Sequence, residues 1–535
     1  MQPSEHGRHC NTHSADQPTG ASDSISVGRA TLTIPPNDPS PSSPPPSPPP
    51  PHTMSEKQKS IAYGDLEELL RNDNKVKLGG VDVDGIVRGK YVSKSKFLSA
   101  AKPDSDFGFC SVIFGWDMHD QVYSKELLVS NKANGYRDLS ARIDLDSYRR
   151  IPWEDNLPFF LIRFFNPDGS PLAVCPRSLL RSVTQTAQRD LGLVCMAGAE
   201  FEYFQFAETA QSLEAKGFVN LTALTPGNHG YSMLRTTLNK DYFLELFDAA
   251  QAFGIDIEGH HTETGPGVYE TALAYTEVTR MADMAVLYKL LAKSVGIKHG
   301  IIPTFMAKPW ANLAGCSGHI HVSLRDPTTG KNVFGLSADE IAAGGRKDAP
   351  YDDVRYLSVV GEQFLAGIMT GLPDIMPLLC PTVNSYKRLT TGEAYWAPNI
   401  CSYGYDSRLV SVRILGPPDA PDYATRFEVR VPGADLNAQY AFAAVFALGM
   451  YGIQHKLSLP FAPLDTTRSL KDQDLVYLPT SLEAATQKFM AKDSLARKVL
   501  GDTLVDHFGG TRLHEVQLFN QTVTNWEMQR YMELI

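Results

Sequence analysis

Apolar positions in this chain recur with two periods, and the switching between them outlines the predicted elements. Leu66, Leu69 and Leu70 predict a short helix, and the run KLGGVDVDGIVRGKYVS, with Val81, Val83, Ile86 and Val87 interleaved with Asp and Gly, predicts a hairpin. Strand-rich sequence continues through FGFCSVIFGW and ARIDLDSYRRIPWE to the PDGSP turn at 167–171. Pro176 then opens a predicted helix whose Leu179, Leu180, Val183 and Ala187 share one face, with Gly192 where a C-terminal cap belongs. Beyond it, strand-like VCMAGAEFEYFQF, SGHIHVSL and RFEVRVP alternate with helical patterns at 242–253, 275–295 and 435–454. The order predicts an α+β protein without internal repeats: a small strand-rich domain over 56–170, then a larger domain over 171–535 with a sheet flanked by helices.

Composition adds limits. Residues 1–53 hold 13 of the 36 prolines and almost nothing that builds a core, so residues 1–55 are expected to be a disordered tail, with Met54 an alternative start. In the whole 535-residue chain, 43% hydrophobic content supports a sizeable core, and 50 Lys+Arg against 60 Asp+Glu leave a net charge of −10. No basic run suits a polyanion, so nucleic acid is not an expected partner. The seven scattered cysteines form no CxxC pair, which argues against a disulfide framework or a zinc site. The apolar stretch 440–453 is shorter than the about 20 residues that span a bilayer, so it reads as a buried helix, no membrane association is expected, and the cytoplasm is the expected location.

Chemistry appears as polar residues two apart inside apolar strand-like runs: Glu200 and Glu202, His261 and Glu263, His319 and His321, Glu428 and Arg430. Residues two apart in a strand project from the same face, so each pair aims at one surface while Phe201, Ile320, Phe427 and Val429 aim at the other. A wet sheet face would more often carry Lys, Thr and Ser; Glu, His and Arg alone fit a site for a metal and an anion. Glu200, Glu202, Glu263, Glu270 and Glu428 with one or two imidazoles make an oxygen-rich environment suited to two Mg²⁺ or Mn²⁺ ions. Arg388, Arg408, Arg413, Arg426 and Arg430 gather late in the chain, where guanidinium groups would grip carboxylate or phosphate. No P-loop or GxSxG elbow is present, and Cys316 in AGCSGH lacks a nucleophile's context.

In order, AEFEYF, HHTETGPGVYE, CSGHIHVSL, NSYKRL, the RxxxxR of Arg408 and Arg413, and RFEVR resemble the successive motifs of type I glutamine synthetases over roughly residues 60–535. The resemblance implies a β-grasp N-terminal domain and a glutamine-synthetase catalytic domain, and ligation of glutamate's side-chain carboxylate to ammonia or a small amine through γ-glutamyl phosphate. It implies Glu202, Glu263 and Glu270 on one metal and Glu200, His319 and Glu428 on the other. Arg388, Arg430, Gly315 and Glu202 would contact glutamate; Glu258, His321, Ser323, Arg413 and Arg426 would contact ATP. Arg408, Arg388, Glu263, His261 and Asp117 would serve catalysis, Asp117 as an ammonium-binding acid for which Asp120 competes. It also implies a homo-oligomer, a dodecamer of two stacked hexamers, with active sites between subunits.

Departures bear on the amine. In NSYKRLTTGEAYWAP, Ala394 stands where the family's flap glutamate belongs and Glu393 lies one place early, as in γ-glutamyl-polyamine and related amine ligases. Ala314 replaces the usual Asn of the NGSGxH loop, and Val476 stands where bacterial enzymes carry an adenylylated Tyr, with Tyr477 next to it. Ligation with a polyamine or ethanolamine, a catalytically silent relative, and guanidino kinase chemistry are the competing expectations.

Overall fold

A computed structural model describes residues 60–389 and 397–535; the proline-rich tail, with its expected disorder, and the flap positions Glu393 and Ala394 lie outside the described residues. The predicted hairpin forms as β1 (Lys75–Val81) and β2 (Val87–Ser93), antiparallel, with Lys75 opposite Ser93. With β3 (Phe107–Cys110), β4 (Asp138–Ile143), β5 (Arg149–Ile151) and β6 (Leu157–Phe165) it builds a six-stranded sheet of order β2-β1-β6-β4-β3, β5 also pairing with β6. The β1–β6 pairing is parallel.

The second sheet has eight strands: β7 (Val194–Phe206), β8 (Ile257–Thr262), β9 (Tyr269–Glu277), β10 (Ile302–Thr304), β11 (Gly318–Arg325), β12 (Tyr403–Tyr405), β13 (Val412–Leu415) and β14 (Arg426–Val429). Their order is β12-β13-β14-β11-β7-β9-β8, with β10 on β7. Phe201, Ile320, Phe427 and Val429 are fully buried on its apolar face, the side on which the two-residue spacing puts them. The helices of this part of the chain include α1 (Pro176–Leu191), α2 (Lys240–Ala252), α3 (Val278–Lys298), α4 (Val359–Gly371), α5 (Val383–Leu389), α6 (Ala438–Gln454) and α7 (Asp502–Gln521). Gly192 caps α1 in the left-handed conformation that glycine adopts without a Cβ penalty. The apolar run 440–453 lies in α6, whose residues from Ala438 to Met450 are all buried, and no helix among the described residues is long and apolar enough to cross a membrane.

Three expectations shift. Tyr275 does not begin a helix: β9 runs on to Glu277, because Ala197 and Met196 of β7 pair with Thr276 and Glu277. Tyr275 and Thr276 suit an extended chain, and cross-strand pairing carries them into the sheet. The 435–454 helix starts three residues late, after Asn437, whose side chain accepts from Tyr440 N at the cap and donates to the carbonyls of Asp82 (3.1 Å) and Val83 (3.2 Å). Finally, β8 ends at Thr262, so Glu263 stands just beyond it, held by its N–H bond to Val268 O at 2.9 Å.

One buried cation ties the two sheet regions together. Arg177 of α1 donates to both oxygens of Asp283 in α3 (2.8 and 2.7 Å) and to Asp144, between β4 and β5, at 2.9 Å. Arg177→Ala would leave two acids facing each other in the interior. It should lower the denaturant midpoint by the equivalent of about 3–5 kcal/mol, read by tryptophan fluorescence; a loss under about 1 kcal/mol contradicts the assignment.

Candidate active site

The registers of the second sheet carry its polar residues across one face. Arg413 of β13 stands opposite Glu428 of β14, and Glu428 opposite His321 of β11. His319 stands opposite Glu200 of β7; Glu202 stands opposite Glu270 of β9, and Glu270 opposite His261 of β8. These side chains line a cavity of about 510 Å³ together with Glu263, Ala314, Gly315, Arg388, Arg408, Arg426 and Arg430.

Two acidic groups form within it. Ligand atoms of Glu200, His319 and Glu428 all lie within 4.8 Å of one another, as do those of His261, Glu263 and Glu270. His319 Nδ1 is 3.7 Å from Glu200 Oε2 and 3.5 Å from Glu428 Oε1. His261 joins Glu263 and Glu270 in the second group, while Glu202 lines the same cavity and accepts Ser317 N–H on Oε2 at 2.6 Å.

The electrostatics separate the two groups. Burial would raise Glu200, but His319 and His321, the latter 3.1 Å away, override it and hold the carboxyl far below the usual carboxylate range. Burial likewise opposes ionisation of Glu428, and His319 and Arg430 again prevail; Arg413 donates to Glu428 at 3.0 Å and Arg430 contacts its other oxygen. Glu270 has the opposite balance: burial first, then the charges of Glu202, Glu200, Glu263 and Glu428, push it up to about 9. A carboxyl surrounded by four others takes a proton unless a cation arrives. The donor set therefore fits a divalent ion, and its oxygen-rich character favours Mg²⁺ or Mn²⁺ over zinc.

Arginines close the cavity wall. Arg388, 6% exposed, donates to Val431 O at 2.9 Å and Arg430 O at 3.1 Å. Gly315 is required by close approach: a Cβ there would lie 2.5 Å from Ala307 O and 2.9 Å from Arg388 Cγ. Glu258 and Ser323 line a second cavity of about 240 Å³, which shares Glu200, Ala272, His321 and Arg426 with the first.

Asp117 stands apart. It lines neither cavity; Oδ1 accepts from His119 N (2.8 Å) and Gln121 N (3.0 Å), and Oδ2 faces His514 Nε2 at 3.3 Å. Asp120 pairs instead with Arg88 at 2.7 Å. Cys316 is fully buried and burial raises its thiol well above the ordinary value, which removes it as a nucleophile. Tyr231, stacked on His261 with ring centroids 4.6 Å apart, lines the cavity with Thr264, Ser317 and Leu415. Nothing in the sequence around Tyr231 marks it, because it reaches the site from a loop.

The glutamine synthetase catalytic-domain family matches residues 173–531. Type-1 glutamine synthetase 2 of Dictyostelium discoideum is 42% identical over 477 residues, 88% of this chain and 87% of that protein. Glutamate–isopropylamine ligase of Pseudomonas sp. is 33% identical over 464 residues, 87% of this chain and 96% of the relative. The solved structure of GmaS in complex with ADP superposes with a TM-score of 0.71 at 23% identity, covering 88% of this chain and 99% of that one, a likeness of fold. With a family match over most of its length and a relative at 42% identity, this chain belongs to the glutamine synthetase family.

Proposed function

We propose that the protein is an ATP-dependent ligase joining ammonia or a small amine to the γ-carboxylate of glutamate through γ-glutamyl phosphate. The observation that carries this reading is the meeting of five carboxylates, three imidazoles and five arginines in one cavity, in a chain of this family. Glu200, His319 and Glu428 would hold one Mg²⁺ or Mn²⁺ ion; Glu263, Glu270 and Glu202, with His261 beside them, would hold another. Bound ions would neutralise the acids and stabilise charge on the transferring phosphoryl group.

The chain's own groups do the rest. Arg388 and Arg430, with Gly315 leaving room for the backbone approach, bind the glutamate carboxylates. Arg408 and Arg413 face the phosphoryl group, while Glu258, His321, Ser323 and Arg426 hold the nucleotide where the two cavities join. His261 and Glu263 would accept the proton that the amine releases as it opens the acyl phosphate.

The finer architecture belongs to the same proposal. The first sheet would be a β-grasp domain over 56–170, followed by the catalytic domain over 171–535, in a dodecamer with active sites between subunits. A shared site would give a role to Asp117, which lies outside the cavity of its own chain.

Three outcomes are expected. Glu202→Ala and Glu428→Ala each lower kcat by about 10³ or more in ADP-release assays while assembly by gel filtration is unchanged, since each removes a metal ligand and not core volume; near-normal turnover contradicts the site. ADP release with glutamate, Mg²⁺ and a panel of ammonia, ethanolamine and polyamines identifies the acceptor: isopropylamine ligation by a relative and Ala394 in this sequence favour an organic amine, which a clear preference for ammonia refutes. No release with any amine favours the silent reading. The third concerns pH. Because folding raises Glu270 from the ordinary glutamate value to about 9, the metal-free fold binds more protons than the unfolded chain across that window and loses stability as pH rises. Saturating Mg²⁺ should flatten that decline in thermal melts, and a metal-free melting temperature that rises with pH between 6 and 9 contradicts it (~6–9 being the measurable part of the window).

A further inference from the structure

Arg388 projects from α5, a seven-residue helix too short to fix its own position. At its start, Thr382 and Ser385 exchange backbone-to-hydroxyl bonds: Thr382 N donates to Ser385 Oγ at 3.0 Å and Ser385 N to Thr382 Oγ1 at 3.1 Å. Both hydroxyls then converge on a single oxygen, Asp435 Oδ2, from 2.6 Å (Ser385) and 2.8 Å (Thr382). The segment carrying Asp435 is also the one whose carbonyls, at Arg430 and Val431, receive the Arg388 guanidinium. One stretch of chain, 430–435, therefore grips α5 at both ends.

We propose that Asp435 is a positioning residue for glutamate: its carboxylate fixes the start of α5 and thereby sets where Arg388 meets the substrate. This rests on the ligase reading above, and on Arg388 contacting glutamate. Two O–H donors on one carboxyl oxygen leave neither hydroxyl a free rotamer. Beneath β7, Lys289 of α3 donates to Leu436 O at 2.7 Å and stands over the ring of Phe201 at 4.9 Å, tying down the residue next to Asp435. Asn384 adds a third tie, exchanging bonds with the backbone of Lys308 at 2.8 and 3.0 Å. The Arg388 stem packs against Gly315 with no room for a methyl group, so a displaced helix start cannot be absorbed locally.

The test is a double-mutant cycle on the full chain with steady-state kinetics for glutamate and ATP separately. Asp435→Asn should raise the KM for glutamate roughly tenfold, with the KM for ATP within about twofold and kcat reduced less than KM is raised. Thr382→Val with Ser385→Ala should reproduce that split, and adding Asp435→Asn to the pair should change little further, because all three act through one contact. Unchanged glutamate KM in these variants, or equal loss for both substrates, overturns the proposal. Should Asp435→Asn fail to fold, Ser385→Ala alone must still raise the glutamate KM severalfold, and no rise there overturns it equally. Wild-type protein without glutamate-dependent ADP release overturns the ligase reading first and this one with it, a result seen before any variant is compared.

Discussion

Mutual repulsion among carboxylates is the constraint on which the rest of this structure depends. Glu200, Glu202, Glu263, Glu270 and Glu428 approach one another on a sheet face that is mostly shielded from water, and such a group survives only with countercharge. Around Glu200 and Glu428 the chain supplies its own, through His319, His321, Arg413 and Arg430. Around Glu270 it supplies only His261, 3.9 Å away. That asymmetry locates the place where an added cation has most to contribute.

Holding the acids together is a task for the opposite face of the sheet. Phe201 and Phe427 are anchored in the core by the same alternation that aims Glu200, Glu202 and Glu428 into the cavity, so burial on one side fixes geometry on the other. A slip of one residue in β7 would invert both faces. Arg177 and Asn437 carry the constraint outward, tying the first sheet region to α1 and to the start of α6.

Much of this was legible in the sequence because a two-residue period is a direct statement about which face a side chain occupies. Glu200, His319 and Glu428 could be read as neighbours in chemistry before their registers were known, and the family motifs named their grouping. What escaped were features set by non-local contacts. Tyr231 arrives from a loop, Ser317 binds Glu202 through a backbone N–H that any residue could supply, and the nearness of His261 to Glu263 and Glu270 is set by the fold. The helix expected from Tyr275 begins instead at Val278, because pairing with β7 keeps the three residues before it extended. Asp435 carried no signal at all, since an acid after a Gly-Ala turn looks like surface until its hydroxyl partners are in place.

The central claim is that these acids converge to bind divalent ions. Anomalous diffraction from crystals grown with Mn²⁺ tests it most directly. The account predicts one peak among Glu200, His319 and Glu428 and another among Glu263, Glu270 and their neighbours Glu202 and His261; a well-ordered cavity without a manganese peak, or peaks only elsewhere on the surface, would contradict it.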